Sequence, residues 1–294
     1  MIKNITPQAI LRALLPVSVL LAAAPIPLFA QQSSAQQSPK DIVNTVVQNE
    51  IRIEAADHSH WMYRDAYKSP EKDTVKLVIQ TAQGNLSETI EDHGQPPNPQ
   101  QHLADLAHMQ EIVNDPALRA RMQRNEAHDG QQADELMRML PTAFDWQIVS
   151  RSDGVITLSY HPDSNFSPPS MSARVLSSMS GTLVVADREM RLERLTGKLM
   201  QPVTFGWGLF GRLEAGSTFE IVRTKVAPGN WQITQTHIHI SGHALFFKTI
   251  GDQEDEVTSD YRPVPDGVDL QKADEMIRNG QVAQELHAEV HFDR

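Results

Sequence analysis

The chain opens on an apolar run, Ala13 to Ala24, and the only charged side chains of residues 1–30 are Lys3 and Arg12 ahead of it. A dozen residues is too short for the roughly 20 that a spanning helix needs, but it suits the core of an export signal. Residues 1–30 are therefore expected to be a cleaved Sec-type signal peptide. Cleavage after Ala30, with Leu28 at the third position before the cut, and cleavage after Ala35, with Ser33 and Ala35, both fit. No twin-arginine pair is present in this stretch and the chain has no cysteine for lipid attachment. The expectation is a periplasmic or secreted protein without a stable membrane anchor.

Residues 31–38 read as a polar linker. Ser38-Pro39-Lys40-Asp41 reads as a helix start, with Ser38 as the cap and proline in the first turn. Val43, Val46, Val47 and Ile51 follow at helical spacing and make one face apolar. Three strands are expected near 58–67, 74–82 and 85–93. In the second, Val75, Leu77 and Ile79 alternate with polar neighbours, and Gln83-Gly84-Asn85 supplies a hairpin turn.

After the proline-rich break at 94–99, Leu103, Leu106, Met109 and Val113 form a helical stripe. Asp115-Pro116 starts a second helix. His128-Asp129-Gly130 is expected to interrupt it, and Pro141 to end a third stripe of Ala133, Leu136 and Leu140. From Phe144 the period changes to two. Ile156, Leu158 and Tyr160 alternate, as do Leu183 with Val185 and Phe219 with Ile221. Turns are expected at Asp153-Gly154, Pro228-Gly229-Asn230 and Gly251-Asp252, separating about eight further strands before Pro263. Residues 268–294 read as a polar helix and tail.

Strands on both sides of a helical block, without a βαβ rhythm, predict an α+β fold. The expected architecture is a large curled antiparallel β-sheet, an incomplete barrel, with N-terminal and inserted helices covering its concave face. Residues 39–267 form its single domain.

Composition changes this picture in two ways. Without cysteine, stability must come from a core rather than disulfides, and the chain is long enough to bury one. Loss of Lys3 and Arg12 with the signal moves the formal net charge from −11 to −13, which disfavours nucleic acid and anionic membrane surfaces as partners.

Candidate chemistry is sparse. Gly206-Trp207-Gly208-Leu209-Phe210-Gly211 matches G-x-G-x-x-G formally, but its flanks read as strands and Glu220 comes too early for a ribose contact. Val203, Phe205, Trp207, Leu209 and Phe210 instead form an apolar cluster, either core or the lip of a ligand cavity. His58-Ser59-His60 and His237-Ile238-His239 each present two imidazoles on one face if they lie on strands, so His58, His60, His237 and His239 are the candidates for a metal site. Fixed spacing identifies no further ligand. There is no cysteine nucleophile and no G-x-S-x-G elbow. The acidic run Asp252, Glu254, Asp255 and Glu256 reads as a solvated turn.

A resemblance adds to these readings. Gly181-Thr182-Leu183-Val184-Val185-Ala186-Asp187, Leu195-Thr196-Gly197-Lys198-Leu199, Val203-Thr204-Phe205-Gly206-Trp207-Gly208 and Ser241-Gly242-His243-Ala244-Leu245-Phe246-Phe247-Lys248, with Val47-Gln48-Asn49-Glu50 in the first helix, resemble an uncharacterised exported bacterial family. More distantly, the order of elements is similar to that of the periplasmic lipoprotein-carrier (LolA/LppX-like) proteins. That likeness implies an incomplete barrel whose helices lid an apolar cavity for acyl chains, and it transfers no individual site residue.

The leading expectation is a non-catalytic periplasmic protein that binds or carries a lipid or lipoprotein acyl chain, without a cofactor. The alternatives are a metal-dependent hydrolase built on the paired histidines and an envelope structural or assembly factor with a protein partner.

Overall fold

Ser38 opens the first helix as its side chain accepts the Asp41 N–H at 3.2 Å, with Pro39 in the first turn. In the computed structural model, which describes residues 37–205, 211–244 and 248–287, this helix, α1, spans Pro39–Ala56. The signal-peptide segment lies outside the described residues. Ile42, Val43, Val46 and Val47 are at most 4 % exposed, so the apolar stripe is fully docked.

A meander follows: β1 (Trp61–Lys68), β2 (Asp73–Thr81) and β3 (Gly84–Asp92). Two helices, α2 (Pro99–Asn114) and α3 (Pro116–Ala143), then lead to β4 (Phe144–Ser152) and β5 (Val155–Pro162). A short helix, α4 (Met171–Leu176), precedes β6 (Met179–Ala186) and β7 (Arg191–Leu199), and two brief strands, β8 (Val203–Phe205) and β9 (Gly211–Leu213), come next. The long strands β10 (Thr218–Ala227), β11 (Asn230–Ala244) and β12 (Lys248–Pro263) complete the sheet, and α5 (Leu270–Arg278) and α6 (Gln281–His287) end the described chain.

The described strands form one 12-stranded sheet in the order β3-β2-β1-β12-β11-β10-β7-β6-β5-β4, with β9 on β11 and β8 on β9. Neighbours are antiparallel throughout. β3 and β4 are the two edges, joined in sequence by α2 and α3, so the sheet is open rather than a closed barrel. The fold is α+β, with a large antiparallel sheet and helices packed on it.

Register shows how each face is used, because alternate residues point to opposite sides. One cross-strand row reads Ile148, Leu158, Leu183, Leu195, Ile221, Thr236, Glu256, Tyr67. The adjacent row reads Gln147, Ser159, Thr182, Thr196, Glu220, His237, Asp255, Lys68. The first face is apolar from β4 to β10 and turns polar at β11. There α1 and the end of α3 pack, burying Val43, Val46, Leu140, Leu158 and Leu183 in one core. The second face is polar over most of the sheet and becomes apolar only on β1–β3. Met62, Ile79 and Leu86 there meet Met109 and Ile112 of α2, Met276 and Ile277 of α5, and Val282 and Leu286 of α6. The helices therefore cover opposite faces at the two ends of the sheet, each group where the strands present apolar side chains.

Four local expectations change. α3 runs without a break through His128-Asp129-Gly130. Its first turns join the second core through Leu118 and Met122, and its last join the first through Leu140 and Ala143. A helix held at both ends tolerates one exposed glycine between them. Pro141 sits inside the final turn, and the helix continues to Ala143. The Trp146 indole N–H donates to the Leu140 carbonyl at 2.9 Å at that end.

Gly251-Asp252 is not a turn. It lies within β12, and the acidic run that follows is paired in the sheet with β11 and β1. The segment read as a polar helix and tail contains two helices, and its polar look hides a buried face: Leu270, Ala273, Met276 and Ile277 of α5 are at most 3 % exposed, and Val282 and Leu286 of α6 at most 5 %. Two polar-looking sequences are thus helices with narrow apolar stripes, and they belong to the core.

Candidate functional site

A cleft of about 690 Å³ lies between the second half of α3 and the chain leading into α4. Leu136 and Met139 of α3 and Pro169 supply its apolar lining, and Glu135 and Arg138 add charge. Leu136 and Met139 are half-buried. The geometry follows from α3: residues 123–133 are exposed, so the helix bridges its two anchoring cores without packing down in between. His128 and Gln132, one turn apart, meet at 2.6 Å and support this free stretch. On the opposite wall Ser170 caps α4, accepting the Ala173 N–H at 3.1 Å, and Ala173 is buried.

α4 also connects this cleft with the apolar run singled out in the sequence. Its Val175 packs against a small core of Met179, Leu199 and Val203. Val203 is 5 % exposed and is a core residue. Phe205 ends β8 opposite Gly211. Trp207, Leu209 and Phe210 lie outside the described residues.

The paired histidines separate. His58 and His60 lie in the connection between α1 and β1, not on a strand. His237 and His239 do lie on β11 and share a face, as two-residue spacing requires. They line a groove of about 340 Å³ on the polar face with Glu220, Gln253 and Asp255. His237 Nδ1 is 2.7 Å from Asp255 Oδ1, and this hydrogen bond holds the Asp255 carboxyl below its ordinary range. Among the described residues no group of three or more metal-ligating side chains gathers.

A third site was not apparent from sequence. Where the α1-packed face turns polar, beyond the last turn of α1, a hollow of about 290 Å³ is lined by Glu54, Tyr63, Gln80, Arg223, Glu256 and Tyr261, among others. Tyr63 and Tyr261 stack with ring centres 5.0 Å apart and planes 19° from parallel, and the Trp61 ring meets Tyr261 edge-on at 6.0 Å. The Tyr261 hydroxyl donates to Thr258, whose own hydroxyl donates to the Ile233 carbonyl at 2.9 Å.

Neither family models nor curated proteins match this chain.

The electrostatics of the hollow are unusual. Burial pushes the Glu256 carboxyl above its ordinary range, and the nearby negative charges of Asp65 and Glu254 push the same way. Burial also raises Asp65, against the opposing effect of Lys76 and Lys72, and one Asp65 oxygen is buried without a hydrogen bond. Tyr63 and Tyr261 are raised as well, first by burial. Tyr63, Glu256 and Tyr261 line one hollow together, which makes it a candidate site. A trace of it exists in sequence: Trp61, Tyr63, Asp65 and Tyr67 alternate along β1 as an aromatic and acidic face. One of their partners on β12, Glu256 opposite Tyr67, lies in the acidic run read as a turn, which hid the pairing.

Proposed function

We propose that this protein is a non-catalytic periplasmic carrier that holds the acyl chain of a lipid or lipoprotein in the cleft between α3 and α4. The supporting observation is the cleft itself. Its volume of about 690 Å³ falls within the roughly 300–1,000 Å³ typical of small-ligand sites. Leu136 and Met139 offer apolar contact. Arg138, 62 % exposed and paired only loosely with Asp134 at 3.9 Å, suits an anionic head group at the rim. Among the described residues no helix is long and apolar enough to cross a membrane. The expected cycle is capture of an acyl chain at this cleft and release to an acceptor in the envelope.

Native mass spectrometry of gently purified protein is expected to show a lipid adduct, and a fluorescent fatty acid is expected to bind stoichiometrically. Protein that is empty as purified and fails to take up the fatty acid would overturn this reading.

A further inference from the structure

We propose that the hollow beyond α1 is a second binding site, one that takes an organic ammonium ion beside Glu256 and the Tyr63–Tyr261 stack. The proposal does not depend on the acyl-chain reading.

From α1 the hollow is faced by Glu54, from β1 by Tyr63 with Asp65 beside it, from β12 by Glu256 and Tyr261 with Glu254 beside them, and from β10 by Arg223. Lys76 and Lys72 act on Asp65 from the β2 side. Arg223, the cation lining the hollow, is already engaged: it lies 2.9 Å from the buried Glu50 and 3.4 Å from Glu54. Glu256 has no cationic partner among the described residues. A half-buried carboxylate with like charges around it is costly unless a positive charge arrives.

The remaining lining selects the kind of cation. The stacked tyrosines favour a cation with an apolar body, because the ring faces are negative. Gln80, Thr234 and Thr258 offer neutral hydrogen-bonding groups for N–H or hydroxyl substituents. For a bare metal ion, no group of three or more metal-ligating side chains gathers among the described residues. An anion is repelled by Glu256, and a purely apolar chain would leave that carboxylate buried.

Isothermal titration of the full mature protein with choline and with ethanolamine tests the idea, alongside the uncharged carbon isostere of choline. At least one ammonium compound is expected to bind, the isostere to fail, and Glu256→Gln to weaken binding by about tenfold or more. Dihexanoylphosphatidylcholine below its micelle concentration separates the sources: binding of the free amine points to a solute, and binding of the lipid alone to a head group. No binding of either amine or of the lipid up to about 10 mM, or equal affinity in a folded Glu256→Gln protein, would overturn the proposal. Fatty-acid uptake measured on the same variant separates this outcome from failure of the acyl-chain reading.

Discussion

Glu50 of α1 accepts both arms of the Arg191 guanidinium of β7, Nε at 2.8 Å and a terminal nitrogen at 3.1 Å, with both side chains at most 5 % exposed. The same carboxylate accepts the Leu192 N–H at 2.8 Å and pairs with Arg223 of β10 at 2.9 Å. A single buried acid thus fixes the rotation of α1 against two strands that are neighbours in the sheet. Because Arg223 also reaches Glu54, the network sets the wall of the hollow as well. Arg191 further lies over the Trp231 ring, 5.7 Å from its centre.

Removing Glu50 leaves Arg191 buried and unpaired. Glu50→Ala is expected to lower unfolding stability by about 3–5 kcal/mol, the range for breaking a buried pair by deleting one partner. Urea unfolding of wild type and variant measures this. A loss no larger than that of an exposed ion pair would show that α1 is held by its apolar stripe alone.

Gly130 lies at an exposed point of α3 with no atom within 4 Å of where a Cβ would stand. Its backbone is helical, so alanine meets no strain. Gly130→Ala is expected to raise stability by about 0.5–1 kcal/mol through lower backbone entropy of the unfolded chain. A thermal melt that moves downward instead would indicate that α3 needs local opening there.

Leu136 projects into the cleft from α3 and is only half-buried, so a larger ring has room to fill the cleft rather than disrupt a core. Leu136→Trp is expected to weaken fluorescent fatty-acid binding by about tenfold or more while the circular-dichroism spectrum stays unchanged. Undiminished uptake would move the acyl-chain site elsewhere.

Glu256 titrates above its ordinary value of 4.5 in the folded protein. An acid with a raised folded-state pKa favours the folded state while protonated, and that contribution is lost as pH rises from the unfolded value through the folded one. Glu256→Gln removes the charge permanently. The variant is expected to melt at or above the wild-type temperature at neutral pH, with the difference shrinking in acid as the wild-type carboxyl takes up its proton. A melting temperature clearly below wild type at neutral pH would mean that the carboxylate makes a stabilising contact.

Much of the secondary structure was legible in the sequence because its causes are local. Ser38 and Asp115 cap their helices through hydrogen bonds to residues two or three positions on, so proximity in sequence is enough. The Asp153-Gly154 turn needs only positive φ at both residues, 55° and 79°. Where distant contacts compete with local signals, reading residue by residue went astray. His128-Asp129-Gly130 stays helical because the cores at its two ends hold it, and Gly251-Asp252 stays extended because β11 pairs with it.

The sequence by itself determined the α+β class, the antiparallel alternation, the capped first helix and the absence of disulfides, because these depend on periodicity, nearest neighbours and composition. Only the tertiary structure decided which face each helix covers, that Glu50 meets Arg191, and that Tyr63 and Glu256 border one hollow. Those pairs are separated by well over a hundred residues, and the strand order that brings β12 against β1 is a choice among pairings that local pattern leaves equal. Side-chain direction follows from the chain's own alternation, whereas the identity of the neighbour across the gap follows from topology.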